Sequence, residues 1–186
     1  MKILISIFFT AIFLLGFAQQ EARSVDLSKS SVNWTGKKVT GEHNGTIALL
    51  EAKLFFKDAY LVDGSFVLNM ESIACTDLSG VMANKLEGHL KSEDFFDVNS
   101  FNESKLKFVK VKHLEGNSYL VVADLTIKGI THPIEFTTNV KTHEAVATLK
   151  VDRTLYNVRY GSTSFFDNIG DKAIDDIFEI KVNLAY

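Results

Sequence analysis

An eight-stranded antiparallel β-barrel is the fold class that this sequence of 186 residues predicts, and three features predict it. Apolar and polar residues alternate in run after run, turn-forming pairs punctuate the runs, and a helical spacing occurs only at Asn84 to Lys91, where Leu86 and Leu90 lie four apart. Strands in succession with a single short helix place the chain in the all-β class.

Taken in order, Val32 and Trp34, then Ile47 and Leu49, then Leu54 to Leu61, then Phe66, Leu68 and Met70 read as strands, and Leu106 to Val111 adds another. Tyr119, Val121, Ala123, Leu125 and Ile127 share one phase, with Asp124, Thr126 and Lys128 on the other, which gives a strand with one apolar face. Ile134, Phe136, Thr138 and Val140 repeat the pattern, as do Ala145, Ala147, Leu149 and Val151, and then Phe178, Ile180, Val182, Leu184 and Tyr186. Asn44-Gly45, Asp63-Gly64 and Gly116-Asn117 are read as turns, and Gly129 to Pro133 as the connection between two strands. A sheet of about eight strands closes into a barrel that is either filled by its own side chains or holds one small ligand. Closure also removes exposed edges. Alternation alone does not separate a hollow barrel from a filled core or a two-sheet sandwich.

The N-terminus reads as a signal peptide. Lys2 precedes the apolar run Ile3 to Phe17, and Gly16, Phe17 and Ala18 form a small-x-small cleavage site, with Ala22 as the alternative. The run is shorter than the roughly 20 residues of a membrane span, so the expected organisation is a leader over 1–18 and one barrel domain over 19–186, without a transmembrane anchor after cleavage. The expected location is the periplasm or the extracellular space. A formal net charge of −3 without long single-sign runs gives no footprint for nucleic acid. One cysteine, Cys75, closes no intramolecular disulfide and lies too far along to carry an N-terminal lipid.

Several stretches stand out together. They are Trp34-Thr35-Gly36-Lys37 with Gly41 and His43-Asn44-Gly45; Asn69-Met70-Glu71-Ser72-Ile73 with Asp77-Leu78; and Leu86-Glu87-Gly88-His89-Leu90-Lys91-Ser92-Glu93-Asp94-Phe95-Phe96-Asp97. Leu125-Thr126-Ile127-Lys128-Gly129-Ile130-Thr131 and Val151-Asp152-Arg153-Thr154 follow, with Tyr156 and Val158-Arg159-Tyr160 behind. From about Asp26 to Tyr186 the chain resembles the YceI-like family of exported, lipocalin-shaped lipid-binding proteins. Asn102 departs from the proline often found there in the family. The resemblance implies a lipocalin-like barrel around an elongated apolar channel, a polyisoprenoid or other long-chain amphiphilic lipid as ligand, and no catalysis; no cofactor is expected. A second copy of the chain, forming a homodimer, is a further partner considered. The alternative from another class is a filled-core barrel acting as a protein-interaction module.

The strand phases nominate Trp34, Phe66, Leu68, Phe108, Tyr119, Val121, Phe136, Leu149, Phe178, Ile180 and Val182 as the barrel lining. Arg153 continues the phase of Leu149 and Val151, so its guanidinium is aimed along the apolar face and requires a partner, either an internal carboxylate or a ligand head group. Arg159 and His89 are the other head-group candidates. The five histidines show neither His-x-His nor His-Glu-x-x-His spacing, so no metal ligands are nominated. No Gly-x-Ser-x-Gly elbow is present; Gly161-Ser162-Thr163-Ser164 comes nearest and lacks a following helical pattern. Asp94 and Asp97 flank Phe95-Phe96, which reads as two rings plugging a barrel end while the carboxylates face water.

Overall fold

The computed structural model describes residues 20–186. The proposed leader over 1–18 lies outside them. Among the described residues there are nine antiparallel strands: β1 (Glu21–Ser24), β2 (Ser31–Lys38), β3 (Gly41–Lys57), β4 (Tyr60–Cys75), β5 (Glu103–His113), β6 (Ser118–Ile127), β7 (Ile130–Val140), β8 (Glu144–Asp152) and β9 (Ile177–Ala185). Strands β2 to β9 form a closed eight-stranded barrel, because β2 pairs with both β3 and β9 while β3 also pairs with β4. The short β1 lies alongside the far half of β3, pairing Glu21 with Phe56 and Ser24 with Lys53. It takes over where β2 has left that edge.

The predicted phases of β6 to β9 hold, with Val121, Ala123, Leu125, Phe136, Leu149 and Val151 all buried. The turns require correction. Asn44-Gly45 and Asp63-Gly64 are not turns; both lie inside long strands, and the reversal between β3 and β4 falls at Asp58 and Ala59. That two-residue loop has φ of 51° and 68°, the positive pair that marks a type I′ hairpin turn, yet it contains no glycine to announce itself. The run Leu54 to Leu61 is therefore the tip of a hairpin, and Ile47 and Leu49 belong to the same 17-residue strand as Leu54. Lys128 and Gly129, also both at positive φ, form the whole β6–β7 turn, so Pro133 sits within β7 opposite Asp124. β8 pairs with β7 only from Thr138 to Val140, leaving the Pro133 half of the strand without that ladder to interrupt.

The two glycines misread as turns have a packing role. Gly45 is the cross-strand partner of Trp34, and a Cβ there would stand 2.6 Å from the indole and 1.8 Å from the Ala74 carbonyl oxygen. A Cβ on Gly64 would stand 2.7 Å from the Phe108 ring. Each glycine is a flat spot on which a large ring rests.

The helix, α1 (Gly80–Lys91), begins four residues before the predicted start at Asn84. Its first turn was illegible because it opens on a glycine and carries Val81 and Met82 outward, at 81% and 60% exposure. Ala83 and Leu90 face inward and hold the helix over the barrel end where Trp34, Ile73, Phe95 and Val158 form a second apolar cluster.

Gly45→Ala is expected to cost about 1 to 3 kcal/mol, as overpacking does, because the Ala74 carbonyl is backbone and yields little. Gly36→Ala, with no heavy atom within 4 Å of the added carbon, serves as the control. Equal denaturation midpoints for the two variants would contradict the packing role of Gly45.

Candidate functional site

The barrel interior is hollow. Leu54, Phe66, Leu68, Phe108, Phe136, Leu149, Phe178, Ile180 and Val182 wall an apolar lumen with about 110 Å³ open to the centres of water molecules. One water needs roughly 10 to 15 Å³ on that measure and two or more polar partners. The lumen has the room and few partners, so hydrocarbon suits it better than water. With β6 ten residues long, a rise of about 3.3 Å per residue and a tilt of about 40° give the wall a height of roughly 25 Å.

A second apolar chamber of about 110 Å³ on the same measure lies at the α1 end, lined by Trp34, Ile73, Leu86, His89, Leu90 and Phe95. Ile47, Phe96, Phe178 and Ile180 line both chambers and form the partition between them. Phe95 and Phe96 stack edge-on with centroids 4.9 Å apart, and Phe96 meets Phe178 at 6.3 Å. The Asp-Phe-Phe-Asp segment thus supplies the rings at this end, as expected, while Asp94 is exposed and Asp97 turns the chain at a φ of 48°.

Of the residues nominated as lining, Phe66, Leu68, Phe108, Phe136, Leu149, Phe178, Ile180 and Val182 face the lumen and Trp34 faces the second chamber. Tyr119 and Val121 line neither. They are buried in packed wall, the Tyr119 ring against His113 at 4.9 Å and Val121 between Val111 and Phe136. Sequence reasoning missed Leu54 and Leu61, hidden in a run mistaken for one strand, and Phe96, whose position depends on how α1 folds back.

Arg153 does not continue β8. It opens a 3₁₀ turn, Arg153–Tyr156, capped by the Asp152 carboxylate, which accepts from the Thr154 N–H at 2.9 Å. Its guanidinium is 98% buried, and its partners are chiefly backbone carbonyls: Nε donates to Asp175 O at 3.0 Å, Nη1 to Val158 O and Tyr160 O at 2.8 and 2.9 Å, and Nη2 to Ile174 O at 2.9 Å. Asp176 adds an ion pair at 3.5 Å. Burial pulls the guanidinium's pKa down, and the charges of Asp176, Asp152 and Asp175 oppose that pull. These contacts pin both ends of the loop 157–176 to the barrel rim, leaving the donors engaged within the fold. Arg159 is exposed and lies over the Phe165 ring at 4.7 Å, outside both chambers.

Cys75, His43 and Asp77 come together as a clasp beside the second chamber, whose lining includes His43. Asp77 accepts from the Asn44 N–H at 2.9 Å, faces His43 Nδ1 at 2.8 Å and accepts from Cys75 Sγ at 3.2 Å. Burial would raise this carboxyl, but the Asn44, His43 and Cys75 hydrogen bonds hold it at about 2. The Cys75 thiol is pushed up by burial and by Asp77, the reverse of what a nucleophile needs. Ser162 is fully buried and its Oγ accepts from the Ser164 N–H at 3.1 Å, shaping the loop.

The pattern of the YceI-like domain matches residues 24–186. The chain belongs to the YceI-like family. This YceI-like chain is 33% identical over 90 residues to the UPF0312 protein plu2095 of Photorhabdus laumondii, and the match spans 42% of the chain and 43% of that relative. Its fold is similar to BcnA of Burkholderia cenocepacia, with a TM-score of 0.71 and 20% identity over 87% of this chain and 99% of that one. It is also similar to a polyisoprenoid binding domain from Saccharophagus degradans implicated in plant cell wall breakdown, with a TM-score of 0.60 and 14% identity over 88% and 96%. The YCEI protein of Campylobacter jejuni gives a TM-score of 0.52 at 12% identity over 98% and 91%. Among the described residues no helix is long and apolar enough to cross a membrane.

Arg153→Met leaves four carbonyls without their donor and Asp176 without its counter-charge. The loss expected is at least about 3 kcal/mol, read as a lowered denaturation midpoint. A variant within 0.5 kcal/mol of the parent, on the order of an exposed surface change, would contradict the pinning role.

Proposed function

We propose that this YceI-like protein is an exported, non-enzymatic binder or carrier of a polyisoprenoid or other long-chain amphiphile, with the tail held in the barrel lumen. The hollow, almost wholly apolar lumen carries this reading. The polyisoprenoid binding domain of similar fold supports it, and the apolar run before the barrel supports export.

Magnitudes say which ligands qualify. A buried methylene contributes about 0.8 kcal/mol, whereas association costs about 4 kcal/mol or more in lost freedom. Short tails therefore fail, and about ten or more carbons are needed before burial clearly exceeds the cost. Specificity for the tail comes from length and girth, since the wall offers few hydrogen bonds. Ala147, which lines the lumen opposite Thr138 and Val182, is the position at which to reduce that space.

A series of primary alcohols of rising length, measured by displacement of a fluorescent apolar dye, is expected to gain about fourfold in affinity per added carbon, up to a plateau. Ala147→Phe is expected to bring the plateau at a shorter chain. Affinity independent of chain length, in parent and variant alike, would overturn binding in the lumen.

A further inference from the structure

The geometry points to the second chamber as a head-group site for an uncharged oxygen, an alcohol, phenol or carbonyl, held by Trp34 Nε1 and His89 Nε2. This deepens the reading of the lumen as a tail site and rests on it. Both nitrogens are buried and, among the described residues, neither has a hydrogen-bond partner. Both side chains line the same chamber. Trp34 is 91% buried, and a buried donor left unmatched costs about 1 to 3 kcal/mol. Two such unmatched atoms on side chains that line one chamber describe a place made for a polar atom that arrives with the ligand.

Their orientation is built in. The Trp34 indole is held by its seat on Gly45. The His89 ring packs edge-on to Tyr160 at 4.4 Å and to Phe95 at 5.6 Å, and Tyr160 is fixed in turn because its carbonyl accepts from Arg153. Trp34 Nε1 only donates, whereas His89 Nε2 donates or accepts according to its tautomer. A carbonyl would accept from both; a hydroxyl would accept from Trp34 and donate to His89. Ser104 Oγ is also buried without a partner, but it stands alone on the wall of the main lumen.

The chamber favours a neutral head over a phosphate. Arg153 is the buried cation beside it; its guanidinium donates to the carbonyls of Val158, Tyr160, Ile174 and Asp175, and its charge is paired with Asp176. Lys37 and Lys38 are exposed at the rim, where Asp175 stands with them. A phosphate placed between Trp34 and His89 would lose its hydration without a free counter-charge. The ligand is therefore oriented, with its head at the α1 end and its tail passing the Phe96 partition into the lumen.

Three probes with one tail test this: hexadecane, 1-hexadecanol and hexadecyl phosphate. The alcohol is expected to bind about tenfold more tightly than the alkane and to move the emission of Trp34, the single tryptophan of the chain, to longer wavelength as its N–H becomes hydrogen-bonded. In Trp34→Phe and in His89→Leu the ratio of alcohol to alkane affinity is expected to fall. Equal affinity for alcohol and alkane in the parent, with Trp34 emission unmoved by the alcohol, overturns the head-group site and leaves the tail site standing. Tightest binding by the phosphate, lost in Lys37→Ala/Lys38→Ala, overturns it in favour of a rim site for anions. Failure of all three probes to bind overturns the lipid reading and this inference with it.

Discussion

A hollow barrel depends on a wall that holds itself, because side chains around an empty lumen forgo contacts that a filled core would have. Here the ladder closes on itself: β2 joins β9 on one side and β3 on the other, β3 and β4 run together for most of their length, and only between β7 and β8 is the pairing short, from Thr138 to Val140. Backbone pairing supplies the continuity that a dense centre supplies elsewhere. Large rings are then accommodated by removing atoms opposite them, at Gly45 beneath Trp34 and Gly64 beneath Phe108, so the space they leave is set by the wall.

The two ends of the barrel are finished differently. At one, β1 extends the sheet and Arg23 lies over the Phe56 ring at 4.2 Å, with Tyr186 stacked on Phe56 at 5.7 Å. At the other, α1, the Phe95-Phe96 rings and the loop 157–176 form a cover around the second chamber, and Arg153 ties that loop down through carbonyls. The guanidinium also lies over Phe95 at 5.7 Å, so one buried cation links the loop to the rings below it. Two of the buried polar atoms without partners, Trp34 Nε1 and His89 Nε2, belong to side chains at this covered end.

The sequence disclosed the barrel and most of its lining because alternation is a local property, and β6 to β9 carry it cleanly. It misplaced what depends on distant neighbours. Asp58-Ala59 turns the chain at positive φ without glycine, whereas Asn-Gly and Asp-Gly, the usual hairpin signals, lie within strands beneath rings from other strands. Tyr119 and Val121 have the correct phase, yet they sit where the wall is packed, a matter of height along the barrel that periodicity does not encode. Arg153 was legible as a buried cation in need of partners. That those partners would be mainly carbonyls of a loop up to 22 residues away was not, since backbone acceptors leave no mark in a sequence. That Trp34 and His89 line one chamber is likewise made by the fold alone.

The most direct test of an occupied lumen is the mass of the intact protein, purified without detergent and measured under native conditions before and after extraction with organic solvent. A discrete added mass that extraction removes is expected. A bare mass in the native preparation, unchanged by incubation with long-chain amphiphiles, would contradict a lumen built to hold a tail.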